Sequence, residues 1–154
     1  YNNQWNTNFR YWYPGTWSSR VRIWMVEKGI TPEERTRQFM DRALETRNPL
    51  LAVTIEKNKG TLPANQSGIE VSRQGVTVTA FGADLDGNEG TLLRIWEQAG
   101  VSGKITITLP KGMNVSTAIP VNLRGEKKGE AIRVKSDKFE LELDAYVPAS
   151  FVLN

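Results

Sequence analysis

The chain has 154 residues, with 20 Lys and Arg against 17 Asp and Glu, a formal net charge of +3, and neither cysteine nor histidine. Those two absences exclude disulfides, thiolate and imidazole metal ligands, and any Ser–His or Cys–His nucleophile pair. The basic residues are interspersed with acidic ones, Lys127-Lys128 lying between Glu126 and Glu130, so no basic stripe suits nucleic acid, and no apolar run approaches the roughly 20 residues that span a bilayer.

Tyr1 to Ser19 is dense in Trp, Tyr, Asn and Gly, with Pro14-Gly15 as a turn signal and no helical period. The chain opens on Tyr1-Asn2-Asn3-Gln4-Trp5, which reads as the interior of a longer protein. Arg20-Val21-Arg22-Ile23-Trp24-Met25 alternates polar and apolar residues, which predicts a half-buried strand. A helix is signalled next. Thr31 suits the N-cap, Pro32 the first helical position, and Glu34 a capping box. Phe39, Met40, Ala43 and Leu44 fall on one face, and Pro49 ends the helix near Arg47.

From there the period is two. Leu51 to Ile55 reads as a strand and Gly60 to Gly68 as a loop. Ile69-Glu70-Val71 and Val76 to Ala80 flank Arg73-Gln74-Gly75, a predicted hairpin. Asp84 to Gly90 is a polar turn, and Thr91 to Glu97 the next strand. Ile105 to Leu109 alternates and stops at Pro110-Lys111-Gly112. Val115 to Arg124 holds Pro120, which predicts a sheet edge or a bulge. Ala131 to Lys135 with Phe139 to Leu143 predicts a second hairpin, and Ser150 to Leu153 a last short strand.

Short strands separated by regular turn signals predict a mainly-β fold, a Greek-key-like β-sandwich with one N-terminal helix. The composition shifts at Asn48-Pro49. Residues 1–48 form an aromatic-rich N-terminal segment with a strand and a helix, expected to pack on the sandwich; residues 49–154 form the C-terminal sandwich.

Four constellations bear on chemistry. Trp5, Trp12 and Trp17, with Arg20 beside them, suit a carbohydrate surface, because aromatic faces stack on sugar C–H groups; the same rings equally suit packing against a neighbouring domain. Asp84-Leu85-Asp86-Gly87-Asn88-Glu89 begins like a calcium loop, but Glu89 stands where a sharp-turn glycine is needed and Ile95 where a bidentate Glu is needed, so a turn is expected. Glu140 and Glu142 share a strand face, as paired glycosidase carboxylates could, but alternate with Phe139, Leu141 and Leu143 and should face solvent. Arg20, Arg22 and Arg94 could reach a substrate or a neighbouring domain; ion pairs at the surface are the plainer expectation.

Gly90-Thr91-Leu92-Leu93-Arg94-Ile95-Trp96-Glu97-Gln98 resembles a strand in the C-terminal β region of family 38 glycoside hydrolases, the retaining α-mannosidases. Ile105 to Pro110, Pro120-Val121-Asn122-Leu123-Arg124-Gly125 and Ala145 to Leu153 are similar to the same region of bacterial members. Asn2 to Phe9 and Trp17 to Trp24 resemble a stretch that precedes it. The resemblance implies that catalysis, and a divalent metal, usually zinc, belong to an N-terminal catalytic domain of the same parent chain, with no cofactor in this part. It also implies a periplasmic or secreted location.

The expected function is therefore that of an accessory C-terminal β-sandwich domain of an α-mannosidase-like glycoside hydrolase. It would support the catalytic domain and contact carbohydrate, without being catalytic by itself. Two alternatives stand beside it: an independent carbohydrate-binding module, and a structural or protein-interaction domain.

Overall fold

The computed structural model describes residues 14–56, 60–61, 63–83 and 90–154. Its elements are α1 (Pro32–Arg47), β1 (Glu70–Val71), β2 (Val76–Ala83), β3 (Thr91–Glu97), β4 (Gly103–Thr108), β5 (Thr117–Val121), β6 (Ile132–Arg133), β7 (Lys138–Leu143) and β8 (Pro148–Leu153). They build a mainly-β sandwich with one N-terminal helix. One sheet has the order β1-β4-β7 and the other β2-β3-β8-β5-β6, all pairings being antiparallel. No helix among the described residues is long and apolar enough to cross a membrane.

The core follows from strand alternation, which sends every second side chain to one face. Ile105, Ile107, Phe139 and Leu143 come from the three-stranded sheet, and Leu93, Ile95, Ala118, Phe151 and Leu153 from the five-stranded one. The two layers meet edge to face at Phe139 and Phe151, with ring centroids 5.3 Å apart and planes at 64°. The last strand, β8, lies between β3 and β5, so the C-terminus of the chain completes the centre of the larger sheet.

The helix forms as its caps dictate. Thr31 Oγ1 accepts from the Glu34 N–H at 3.2 Å, Pro32 opens the first turn, and Asn48 closes the last by donating its N–H to the Leu44 carbonyl at 2.8 Å. No residue of α1 is buried, and Phe39 and Leu44 stay exposed.

Pro120 sits inside β5, where its missing N–H does no harm. Its carbonyl points outward to the Lys128 N–H at 2.8 Å, and β6 pairs only with Thr117 and Ala118. β5 is thus not the expected edge, since β6 lies beyond it, but β6 stops at Thr117 and Ala118, so its ladder asks no N–H of Pro120.

Four expected elements come out differently. Arg20 to Met25 and Leu51 to Ile55 form no strand; Ile23 and Met25 are 92% and 97% exposed, and Leu51 and Val53 are 89% and 78%. Alternation without a partner edge leaves backbone groups unpaired, so the pattern alone does not hold a strand. The expected hairpin at Arg73-Gln74-Gly75 is a corner between sheets: β1 pairs with β4, and β2 with β3. Arg73 pins this corner to the three-stranded sheet by donating to the carbonyls of Gly103 and Leu143, both at 3.2 Å. The expected hairpin around Ser136-Asp137 keeps only its tight turn. Lys135 and Lys138 exchange both backbone bonds at 2.9 Å, with left-handed φ of 50° and 61° at Ser136 and Asp137. The strands on either side then part, β6 to the larger sheet and β7 to the smaller.

Candidate functional site

The pleat also decides what each sheet shows on its outer face. On the three-stranded sheet the outward residues are Glu70, Lys104, Thr106, Thr108, Lys138, Glu140 and Glu142. Lys104 and Glu140 form an exposed ion pair; hydrogen bonding between them raises the Lys104 pKa and lowers that of Glu140. Glu140 and Glu142 lie opposite Thr106 and Lys104 on this solvated face, and no pocket encloses them.

The five-stranded sheet is different. Leu92, Arg94 and Trp96 on β3, Pro148, Ser150 and Val152 on β8, and Ile119 and Val121 on β5 alternate with the core residues and so form its outer face. Val152 and Val121 are only 5% and 7% exposed there. Arg94 lies in one cross-strand row with Ser150 and Val121, and its Nη2 crosses that row to donate to the Leu123 carbonyl at 3.0 Å. The turn that carries Leu123 is tied down by Asn122, whose Oδ1 accepts from the N–H groups of Arg124 at 2.9 Å and Glu126 at 3.0 Å. Leu123 itself is left 68% exposed beside a notch of about 380 Å³ that Val121, Pro148 and Ser150 help to line.

Arg94 is the formal charge among these residues of β3, β8 and β5, and Arg133 on β6, opposite Thr117, adds a second cation to the same face. The Nε of Arg94 is buried without a hydrogen-bond partner, and among the described residues no carboxylate pairs with Arg94. A cation among apolar side chains loses hydration unless it finds acceptors.

Where β3 ends, a second arrangement appears. Glu97 is fully buried, on the core side of the strand. Burial is the largest single influence on its carboxyl and favours the neutral form. The backbone N–H groups of Tyr146, Val101, Gly100 and Ala99 together outweigh it and hold the pKa below the usual carboxylate range. Ala99 donates to Oε1 at 2.9 Å, and Gly100 and Tyr146 to Oε2 at 2.9 and 2.8 Å. One ionised side chain thus ties the turn after β3 to the turn before β8. Tyr146 is held there with a left-handed φ of 63°, and its carbonyl accepts from Trp96 Nε1 at 3.2 Å.

Of the residues singled out from sequence for carbohydrate, Trp5 and Trp12 lie outside the described residues. Trp17 and Arg20 are exposed on an irregular stretch, with Trp17 at 63%. Arg22 is also exposed and lines a small hollow against α1 with Arg42 and Glu45. The turn at Asp84 to Glu89 lies outside the described residues as well. Among the described residues no group of three or more acidic side chains is arranged to hold a metal. A cleft of about 850 Å³ runs between the loop at Asn65-Gln66-Ser67 and the ends of β4 and β7. Its charges, Glu70, Lys111, Asp137 and Lys138, are of mixed sign and do not converge on an enclosed point.

Glu97 was not a candidate from sequence, although a signal for it existed. Leu93, Ile95 and Glu97 share one parity, so a strand that buries the first two aims a carboxylate at the core. Such a group is either paired or bound by backbone donors.

The architecture defines a two-layer antiparallel β-sandwich. No protein-family model, no curated protein and no solved structure gives a significant match to this chain.

Proposed function

We propose that the chain is a non-catalytic accessory β-sandwich domain of an α-mannosidase-like glycoside hydrolase, docking on the catalytic domain through the outer face of its five-stranded sheet. The observation that carries docking is that face: apolar on Leu92, Ile119 and Leu123, with no carboxylate among the described residues pairing with Arg94. Apolar residues on both faces of a sheet are usual where each face is covered. The resemblance supplies the kind of partner, because two of its segments, Gly90 to Gln98 and Ala145 to Leu153, include β3 and β8.

The role follows from the same residues. The partner would bring an apolar surface and one carboxylate, which would satisfy the guanidinium as the face is desolvated. The domain would then buttress the catalytic domain and bring its exposed rim toward the substrate.

The test is association in trans between this chain and the catalytic domain of its parent, followed by sedimentation velocity. Complex formation is expected, weakened at least about tenfold by Arg94→Glu or Leu92→Asp and unchanged by Thr106→Asp on the opposite sheet. No association at high concentration, or equal sensitivity of both faces, would overturn the docking reading. Hydrolysis of an aryl α-mannoside by this chain alone would overturn the non-catalytic one.

A second reading is an independent carbohydrate-binding module. The exposed Trp17 favours it, and it requires sugar affinity without any partner domain.

A further inference from the structure

The end of the sandwich where Glu97 is buried carries an aromatic ledge. Trp96 is 44% exposed, Tyr146 67% and Val147 42%, and they adjoin one another in the fold. The chain around them is held against its own preferences. A left-handed φ is uncommon and strained for a bulky aromatic residue, yet Tyr146 adopts 63°. Its N–H is bound by the Glu97 carboxylate and its carbonyl by the Trp96 indole.

The phenol is fixed as well. Its hydroxyl end rests on Gly100, where an added Cβ would stand 2.5 Å from the Tyr146 oxygen and 2.8 Å from Cζ. A side chain at position 100 would displace the ring, and φ of +81° at Gly100 suits glycine in any case. A buried carboxylate, a strained turn and a bare glycine therefore hold in place two rings that remain largely in water. Core packing does not call for this, since a glycine at position 146 would make the same turn without strain.

We infer that Trp96 and Tyr146 form a preorganised stacking site for a pyranose ring of a carbohydrate ligand. Each ring offers at most about 250 Å², so the ledge falls short of the roughly 800 Å² per partner of a stable protein interface and matches one or two sugar rings. The indole N–H is already satisfied, so Trp96 presents its ring to C–H groups without a stranded donor. The Tyr146 hydroxyl supplies a partner for a sugar hydroxyl at the rim. The ledge is distinct from the N-terminal tryptophans; Trp96 stands at the end of the sheet face proposed to dock, and a chain that docks nowhere would still bind sugar through the ledge.

The test is a titration of the 154-residue chain, labelled with ¹⁵N, with mannotriose, cellotriose and galactotriose. For at least one trisaccharide, the Trp96 indole N–H and the Tyr146 amide should shift saturably with a dissociation constant of about 1–10 mM, and Tyr146→Gly should weaken binding about tenfold. That variant keeps the backbone bond to Glu97 and relieves the strain, so its spectrum should otherwise match the parent's. Three results would overturn the proposal: no movement of either resonance with any trisaccharide, movement confined to the Trp17 indole, or undiminished binding by Tyr146→Gly. The second of these would leave the carbohydrate-module reading standing and remove only the ledge.

Discussion

The two outer faces of the sandwich obey one rule and end in opposite states. On β4 and β7, Lys104, Thr106, Glu140 and Glu142 alternate with Ile105, Ile107, Phe139 and Leu141, so the smaller sheet has one wet and one dry side. On β3, β8 and β5 both parities are largely apolar, and the outward set carries Arg94 as its formal charge. The first pattern is complete in itself, because each side chain already has the environment it prefers. The second suits a covering surface, and the Arg94 guanidinium, which pairs with no carboxylate among the described residues, says something of its chemistry. A face can therefore be read for partners by asking which of its groups the monomer leaves unsatisfied.

That contrast can be broken from the inside or sharpened from the outside. The largest effect should come from the shared core. Phe151→Ala removes the ring that meets Phe139 across the layers, and should cost about 3–5 kcal/mol, read as a lower midpoint in urea denaturation.

Glu97→Ala comes next, with an expected loss of about 3 kcal/mol, because buried N–H donors lose their only acceptor. Its pH signature is specific. The folded pKa of Glu97 lies below the ordinary 4.5, so its contribution is fully present above that value and is lost as pH falls through the folded pKa. Stability of the parent should drop below pH 4.5 more steeply than that of Glu97→Gln, which has no charge to titrate there.

Arg94→Leu sharpens the comparison. In the isolated chain it removes a guanidinium with a buried, unpartnered Nε and should be neutral, or stabilising by up to about 1 kcal/mol, while weakening association with the catalytic domain. A clear loss of stability in the isolated chain would mean that the bond to Leu123 already satisfies the group. The smallest effect belongs to the solvated face. The Lys104→Ala, Glu140→Ala double variant should leave the melting temperature unchanged within error, since both partners are exposed and screened.

Much of the fold was legible because it rests on local chemistry. Thr31, Pro32 and Pro49 bound a helix that forms as predicted over Pro32–Arg47, and Thr91 to Glu97 is a strand with the expected limits. Pro120 was expected at an edge or a bulge and lies instead in the second strand from the edge, beyond the two residues that β6 reaches. The site was less legible. Trp5, Trp12, Trp17, Arg20 and Arg94 stand out by residue type, whereas Trp96, Glu97 and Tyr146 matter because of what surrounds them. The left-handed turn at Tyr146 has no glycine or asparagine to announce it, since the force that holds it is a carboxylate 49 residues away in sequence.

By itself, then, the sequence determined which segments alternate, where the helix is capped, which positions face inward, and that no histidine or cysteine chemistry is open to this protein. Tertiary structure alone decided which alternating segments find a partner, since Arg20 to Met25 and Leu51 to Ile55 carry a strand pattern and form no strand. It also decided that the turns after β1 and β6 pass between layers, and that β8 closes the centre of the larger sheet. The physical reason is the range of the forces. Caps, turns and side-chain parity are settled within a few residues, whereas a ladder bond or the burial of Glu97 requires groups that the chain brings together only when both sheets are in place.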